Sequence, residues 1–185
     1  MDNGASSYRR FLEGDDSGFV EIVRDYKDGL MLYINGYVKN ITVAEDLMED
    51  TFVKLVARRP KYVPRYSFKT WLYSIGKNIA IDYLRKASTR YEQLYELREN
   101  DIGEQESIER SYLHKEEKVL ILNVVDTLPQ DYRQVLYLHF FEGMSNGEIA
   151  KVMGKNTRQI ENLMYRAKLS LRTKLEKEGY TVERL

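Results

Sequence analysis

Apolar residues recur every three or four positions along most of the chain, a spacing that places them on one face of a helix. In the first strongly patterned segment, Phe19, Ile22 and Tyr26 follow this spacing and predict a helix over 18–38. The same spacing predicts further helices over 42–58, 68–87, 119–128, 129–142, 146–153 and 157–177. The chain shows no alternating strand pattern and no internal repeat, so we expect an all-α fold.

Capping residues place several helix starts. Thr42 and Glu45 are spaced as a capping box, and so are Ser145 and Glu148. Pro129 suits the first turn of the helix that follows it, because its missing N–H has no partner there.

Two non-helical segments separate the predicted helices. Pro60 and Pro64 each disfavour helical backbone in the residue before them, which predicts a basic, tyrosine-bearing loop over 59–67. The pattern weakens again between Ser88 and Tyr112, where the chain is polar and acidic. We interpret this stretch as a flexible linker, with a short helix at 91–98 as an open alternative. The predicted organisation is a small helical domain at 1–88, a linker at 89–112 and a second small helical domain at 113–185.

Composition narrows the class of protein. Cysteine is absent, which excludes a disulfide framework, a thiolate zinc site and a cysteine nucleophile. Residues 1–21 lack an apolar core flanked by basic residues, so we expect no secretory signal. No stretch approaches the roughly 20 apolar residues that span a bilayer. We therefore expect a cytoplasmic protein.

Charge is zero overall but unevenly distributed. Residues 51–91 carry 10 basic and 1 acidic group, and residues 150–177 carry 8 and 2. Between them, residues 92–117 carry 3 basic and 9 acidic groups. Basic blocks inside patterned helices are typical of polyanion binding. Lys and Arg side chains neutralise phosphates, and the counterions released in this way favour binding. Solvated helix faces are the alternative interpretation.

The segment 146–163 has the residue spacing of a helix-turn-helix. Ala150 is small enough for the second helix to cross closely, and Gly154 supplies the positive φ of the turn. The second helix would present its first turns to the major groove, where Arg, Asn and Gln pair with base edges. The side chains expected to face the groove are Lys155, Asn156, Thr157, Arg158, Gln159, Asn162 and Arg166. For Thr157 the role of N-cap is favoured over a base contact. Two ordinary packed helices are the alternative to the whole motif.

Two stretches resemble the same family. Residues 43–86 contain AEDL, then TF, then the pattern F-x-x-WLY-x-I-x-x-N-x-A-x-DYLR. This stretch is similar to region two of the extracytoplasmic-function (ECF) class of bacterial sigma factors. The helix-turn-helix from position 145, preceded by LPQDYR and running into YRAK, resembles region four of the same family. The resemblance covers roughly 19–88 and 113–177.

The resemblance implies three functional surfaces. One docks on a coiled coil of the largest polymerase subunit and comprises Glu45, Asp46, Glu49, Asp50, Phe52 and Leu55. A second opens the −10 promoter element and holds an unpaired base, and comprises Arg59, Lys61, Tyr62, Arg65, Tyr66, Lys69, Lys77, Asn78 and Arg85. The third is the helix-turn-helix surface given above, which would read the −35 duplex.

Physical alternatives exist for parts of these surfaces. The four carboxylates form one strip on a helix, but acidic residues near a helix N-terminus also simply favour the dipole. Tyr62 and Tyr66 could stack on exposed bases. Trp71 lies on an apolar stripe, so we expect it in the core instead.

We therefore expect a sigma factor that binds core RNA polymerase, through its largest and flap-bearing subunits, and promoter DNA. The resemblance also implies an anti-sigma partner. An ordinary helix-turn-helix regulator with an N-terminal helical sensor domain is the alternative, and polymerase binding would discriminate the two. An enzyme is disfavoured, because the chain has only His114 and His139, no phosphate-binding loop and no metal-ligand spacing. No cofactor, metal or small-molecule substrate is expected.

Overall fold

The computed structural model describes residues 3–95 and 124–177, with side chains over 4–89 and 124–177. Within these ranges the protein is α-helical and contains no strand, which confirms the predicted fold class. The chain divides into two compact units, Met1–Ser107 and Ile108–Leu185. Most of the predicted linker, and His114, lie outside the described residues, so the exact domain boundaries stay predictions.

The first unit is a bundle built around one central helix. Its described helices are α1 (Asn3–Leu12), α2 (Asp16–Val38), α3 (Ile41–Arg58) and α4 (Phe68–Tyr95). Helix α2 contacts the other three. Ile22, Leu30 and Ile34 of α2 are fully buried and meet equally buried side chains such as Leu55 and Leu72. Each such burial stabilises the unit by about 1.5–3 kcal/mol before entropy is counted.

Helix α1 was not predicted from the sequence. It crosses the start of α2 so closely that a Cβ added at Gly18 would clash with the carbonyl oxygen of Ser7. Tyr8 and Phe11 project from α1 into the core and are buried. Glycine at position 18 therefore permits α1 to dock.

A polar cluster fixes the same crossing at its edge. The Arg10 guanidinium donates to the carboxylates of Glu21 and, at 3.0 Å, Asp15. The Ser7 hydroxyl also donates to Glu21, at 2.7 Å. The hydrogen bonds from Arg10 and then Ser7 lower the pKa of Glu21. Those from Ser17, with Arg10 second, lower the pKa of Asp15.

The connection between α2 and α3 corrects the first predicted capping box. Lys39 takes the left-handed conformation with φ 56° and ends α2. Asn40 is the N-cap of α3, and its side chain accepts a hydrogen bond from the N–H of Val43 at 3.0 Å. Thr42 lies inside the helix, so the Thr42–Glu45 capping box was wrong. Asn is at least as good an N-cap as Thr, and Asn40 already has the extended backbone that the position requires.

Helix α4 begins at Phe68, as predicted, but continues to Tyr95 rather than ending near Ala87. No proline or glycine occurs between 88 and 95 to stop it. The first part of the short helix considered at 91–98 is therefore the end of α4, and the rest lies outside the described residues.

The second unit contains a helical turn at 124–126, then α5 (Gln130–Leu136), a π-helical turn (Tyr137–Phe141), α6 (Asn146–Met153) and α7 (Thr157–Lys177). The single α-helix predicted over 129–142 is thus interrupted by a wider turn, in which the rings of Tyr137 and Phe141 stack at 5.4 Å. Of the helix predicted over 119–128, only 124–126 is described as helical.

Helix α7 packs on both α5 and α6 and closes the core of the second unit. Val135, Leu138 and Ile149 are fully buried beneath it, together with Ile160 and Leu171 of α7 itself. In neither described range is a helix both long enough and apolar enough to span a bilayer.

Candidate nucleic-acid interface

Helices α6 and α7 form the predicted helix-turn-helix. The Ser145 hydroxyl accepts from the N–H of Glu148, and the Glu148 carboxylate accepts from the N–H of Ser145 at 3.0 Å, which confirms this capping box. Gly154 ends α6 with φ 69°, and its N–H donates to the carbonyl of Ala150. Ala150 and Ile160 are buried where the two helices cross. Local sequence signals therefore set both ends of α6 and the angle to α7.

The start of α7 corrects the role considered for Thr157. The Asn156 side chain accepts from the N–H of Gln159 at 2.8 Å, and the Gln159 side chain accepts from the N–H of Asn156 at 2.9 Å. Asn156 is therefore the N-cap, and Thr157 is the first helical residue and is exposed. Two of the three amide side chains that were candidates for base contact are therefore engaged in this reciprocal cap.

Three other predicted groove-facing side chains are free. Arg158, Asn162 and Arg166 are exposed on α7 and make no hydrogen bond or ion pair within the described part of the chain. Together they offer guanidinium and amide donors along consecutive turns of one helix. This is the chemistry that pairs with guanine and adenine edges or with phosphate.

Lys155, in the turn before α7, is partly committed elsewhere. Its ammonium lies 3.1 Å from the Asp131 carboxylate of α5. Exposed ion pairs of this kind stabilise a fold by less than about 1 kcal/mol, so the lysine can exchange the carboxylate for a phosphate.

Sequence reasoning missed two exposed apolar residues on α7. Tyr165 and Leu169 are 72% and 56% exposed. They continue the line of Arg158 and Asn162 along the helix, on the side opposite the buried stripe. A helical wheel of α7 could have identified them, because it places Tyr165 and Leu169 outside the apolar stripe that is buried.

The basic loop, defined as residues 59–67, is non-helical as predicted and is fixed at several points. Arg59 has φ 40° and ends α3, and its guanidinium lies over the Phe11 ring at 5.3 Å. Lys61 and Arg65 are exposed. At the far end, the Ser67 hydroxyl accepts from the N–H of Thr70 at 3.2 Å and starts α4.

The aromatic residues near the basic loop pack on one another. The Tyr62 ring lies 5.4 Å from Trp71 and 5.7 Å from Phe68, and its hydroxyl donates to the carbonyl of Tyr66 at 2.7 Å. Trp71 also contacts Tyr8 at 5.3 Å. The tryptophan thus lies in an aromatic cluster but is half-buried, at the edge of the core and not inside it as expected. Tyr62 is half-buried in the same cluster.

Helix α4 places the remaining residues predicted for the −10 surface. Asn78 is exposed, whereas Lys69 and Lys77 are half-buried. Arg85 is exposed and paired with Asp82 at 3.0 Å. Past Ala80, the described side chains of α4 are exposed or half-buried, so this end of the helix is open to a ligand.

The predicted docking surface on α3 is divided between surface and core. Glu45, Asp46, Glu49 and Asp50 are all exposed. Phe52 and Leu55 are buried, Leu55 completely, so they support the helix from beneath and cannot meet a partner directly. Their assignment to the surface was wrong, because the apolar stripe that contains them faces α2 and α4.

Two valines replace them at the surface. Val53 is 60% exposed and Val56 is 41% exposed, both on the carboxylate side of α3. We define the docking face as the four carboxylates with Val53 and Val56. The described residues contain no cluster of three or more His, Asp or Glu side chains that could hold a metal ion.

The architecture defines a class of protein: two helical units, one of which carries a helix-turn-helix with an exposed polar and cationic second helix. The family model described as sigma-70 region 2 matches residues 22–90, and the model described as sigma-70, region 4 matches residues 118–171. The two models together cover more than half of the chain.

The chain therefore belongs to the sigma-70 family, in its extracytoplasmic-function class, whose members direct promoter-specific transcription initiation. The match of residues 22–90 to region 2 disfavours the alternative of a regulator with a sensor domain.

Similar proteins of known sequence agree with this assignment. The ECF RNA polymerase sigma factor BldN of Streptomyces coelicolor is 30% identical over 161 residues, which cover 85% of this chain and 60% of BldN. The ECF RNA polymerase sigma factor SigW of Bacillus subtilis is 26% identical over 175 residues, 90% of this chain and 94% of SigW.

Among solved structures, the sigma factor RpoE of Bartonella quintana, in complex with the anti-sigma factor NepR, shares the fold with a TM-score of 0.65. It is 21% identical, and the alignment covers 90% of this chain and 98% of RpoE. CnrH, in complex with the cytosolic domain of CnrY, has a TM-score of 0.63 at 22% identity, covering 95% of this chain and 96% of CnrH.

Proposed function

We propose that this sigma factor reads the −35 element with α7, opens the −10 element with the basic loop and α4, and binds core RNA polymerase through the docking face of α3. The observation that carries the proposal is the row of exposed side chains Arg158, Asn162 and Arg166, which have no partner in the described part of the chain. They lie on the second helix of the region-4 helix-turn-helix. Within the described residues they form no hydrogen bond or ion pair that would stabilise the fold.

Two variants and a matched control test the −35 assignment. Promoters are first mapped by in vitro transcription with core polymerase, and each variant is then assayed on them as holoenzyme. Arg158→Ala or Asn162→Ala should reduce discrimination against altered −35 base pairs by about 1–3 kcal/mol per lost contact. The control is Arg172→Ala, which lies roughly 21 Å further along the same helix and bonds to Glu176 at 2.9 Å. It should leave discrimination unchanged. Equal losses on scrambled −35 DNA would limit Arg158 and Asn162 to phosphate contacts.

Asn156, Thr157 and Gln159 are proposed at the same surface in a mixed role. Replacing Asn156 by alanine removes the cap of α7, which costs about 0.5–2 kcal/mol of stability, in addition to any base contact. The melting temperature of such a variant must therefore be measured together with its DNA affinity, so that a loss of stability is not taken for a loss of base contact.

The −10 assignment rests on the exposed cations of the basic loop, Lys61 and Arg65, and on the exposed side chain of Asn78 on α4. A cationic loop beside an aromatic cluster suits an unpaired strand, because ammonium and guanidinium groups follow the phosphates while rings accept the bases. Arg65→Ala should weaken binding of a single-stranded −10 oligonucleotide by holoenzyme. Unchanged affinity would exclude the basic loop from this role.

Docking on polymerase is proposed for the docking face, where carboxylates surround two exposed valines. Asp50→Lys should reduce co-purification with core polymerase without lowering the melting temperature, since Asp50 is exposed and has no partner in the described chain. Asp28→Lys is the matched control: it makes the same charge change at an exposed, unpartnered position on α2. Similar behaviour of the two variants would place the polymerase contact elsewhere.

We further propose that an anti-sigma protein holds the chain inactive, that the chain works in the cytoplasm with its DNA template, and that nucleotide addition belongs to the polymerase. The solved complexes of RpoE with NepR and of CnrH with CnrY support the first proposal. For the third, His139 offers no catalytic site: it is half-buried, with its ring against Phe140 at 4.8 Å.

A further inference from the structure

The basic loop is held in place at its beginning by helix α1. The Tyr8 hydroxyl donates to the carbonyl of Pro60 at 2.7 Å, across 52 residues of sequence. The same helix carries Phe11, whose ring lies beneath the guanidinium of Arg59. One side of α1 therefore fixes the backbone of residue 60 and the side chain of residue 59.

Tyr8 is itself rigidly placed. It is 1% exposed, and its ring lies 5.3 Å from Trp71 and 5.5 Å from Phe68. Burial raises the pKa of its hydroxyl, with the charge of Arg59 acting in the opposite direction, so Tyr8 remains a neutral donor. The close crossing at Gly18 keeps α1 in register with the bundle.

The two ends of the basic loop are thus anchored, while its middle is presented to solvent. Tyr62 and Ser67 anchor the second half through bonds inside the loop and to α4. Lys61 and Arg65, between the anchors, are exposed. A loop held in this way loses less conformational entropy when it binds a strand, because much of its ordering has already occurred.

We propose that Tyr8 is a positioning residue for promoter opening: through the Pro60 carbonyl it holds the basic loop in the shape that receives the unpaired −10 strand. This inference rests on the proposed −10 role of the basic loop. It assigns to α1 a part in initiation separate from the stability of the bundle.

Tyr8→Phe is the test variant, because it keeps the ring in the aromatic cluster and removes only the hydroxyl. Tyr37→Phe is the matched control. It also removes one buried hydroxyl of the same unit, which meets the hydroxyl of Tyr33 at 3.1 Å in the core. Similar losses of stability are expected from the two variants, so any difference in promoter opening reports on the basic loop.

Three quantities should be measured with full-length protein: affinity for core polymerase, affinity of holoenzyme for a single-stranded −10 oligonucleotide, and affinity for −35 duplex. Tyr8→Phe should weaken oligonucleotide binding by about three- to tenfold, the range that follows from one lost hydrogen bond, and leave the other two affinities unchanged. Tyr37→Phe should leave all three unchanged.

Trp71 provides an independent readout, since it is the one tryptophan of the chain. In the free protein, Tyr8→Phe should increase quenching of its fluorescence by acrylamide, and Tyr37→Phe should not. The inference is overturned if the two variants bind the oligonucleotide equally well, or if Tyr8→Phe weakens core binding in parallel, which would indicate a structural role only. Failure of wild-type holoenzyme to bind the oligonucleotide would instead overturn the proposed −10 role, and this inference with it.

Discussion

Replacing the buried Gly18 by alanine should disturb the docking of α1 on α2. The added Cβ would clash with the carbonyl oxygen of Ser7 and lie 3.0 Å from the backbone nitrogen of Phe11. Both obstacles are backbone atoms, so no side chain can rotate away. The helix itself has to shift.

The size of the effect follows from three contributions. Forcing a methyl group into a packed interface costs about 1–3 kcal/mol. Alanine returns up to about 1 kcal/mol, because it is a better helix former than glycine. Complete undocking of α1 would expose Tyr8 and Phe11 at about 1.5–3 kcal/mol each, so a shift is the less costly response. We expect a net loss of about 1–2 kcal/mol.

Thermal unfolding and amide hydrogen exchange would measure this loss. For a unit of this size, 1 kcal/mol lowers the melting temperature by roughly 4–8 °C. Exchange should accelerate in α1 before it does in the rest of the bundle. The control is Gly147→Ala in α6, where an added Cβ meets nothing within 4 Å and should be neutral or slightly stabilising. If Gly18→Ala kept both the wild-type melting temperature and α1 protection, the close crossing would not limit docking.

Two further predictions concern charged groups. Hydrogen bonds from Ser17 and then Arg10 lower the pKa of Asp15, and those from Arg10 and then Ser7 lower the pKa of Glu21. The contribution of these two carboxylates to α1 docking is therefore complete above about pH 5 and disappears as the pH falls through the lowered values. The protection of α1 amides, after correction for the intrinsic exchange rate at each pH, should fall below about pH 4, and protection that does not change with pH would contradict this. Lys155→Ala and Asp131→Ala both break one ion pair, but only the lysine variant should reduce the salt dependence of −35 binding, by about one counterion. Equal slopes would remove Lys155 from the DNA contact.

The parts of the fold that sequence predicts well are those with local causes. Gly154 requires a left-handed turn, and Ser145 and Glu148 lie three residues apart, so the helix-turn-helix can be located from a short stretch. The loop between α3 and α4 follows in the same way from two prolines.

The features that the sequence does not predict depend on contacts between residues far apart in the chain, or on which of two nearby residues takes a given role. Helix α1 is short, and its docking rests on contacts such as Tyr8 with Pro60, which no local pattern reveals. Asn40 and Thr42 have similar capping chemistry, and only the backbone angles decide between them. On α3, apolar residues alone indicate a stripe, and packing shows that Phe52 faces inward while Val53 faces out.

The separate buried interiors of the two units have an evolutionary consequence. Each unit encloses its own set of large apolar side chains. A recombination event that joined the first unit to the second unit of a relative would therefore keep the apolar side chains of each interior together in one piece of chain. If the first unit opens the −10 element and the second reads the −35 element, as proposed above, exchanging halves would create new combinations of promoter preference without any point mutation at the DNA surface.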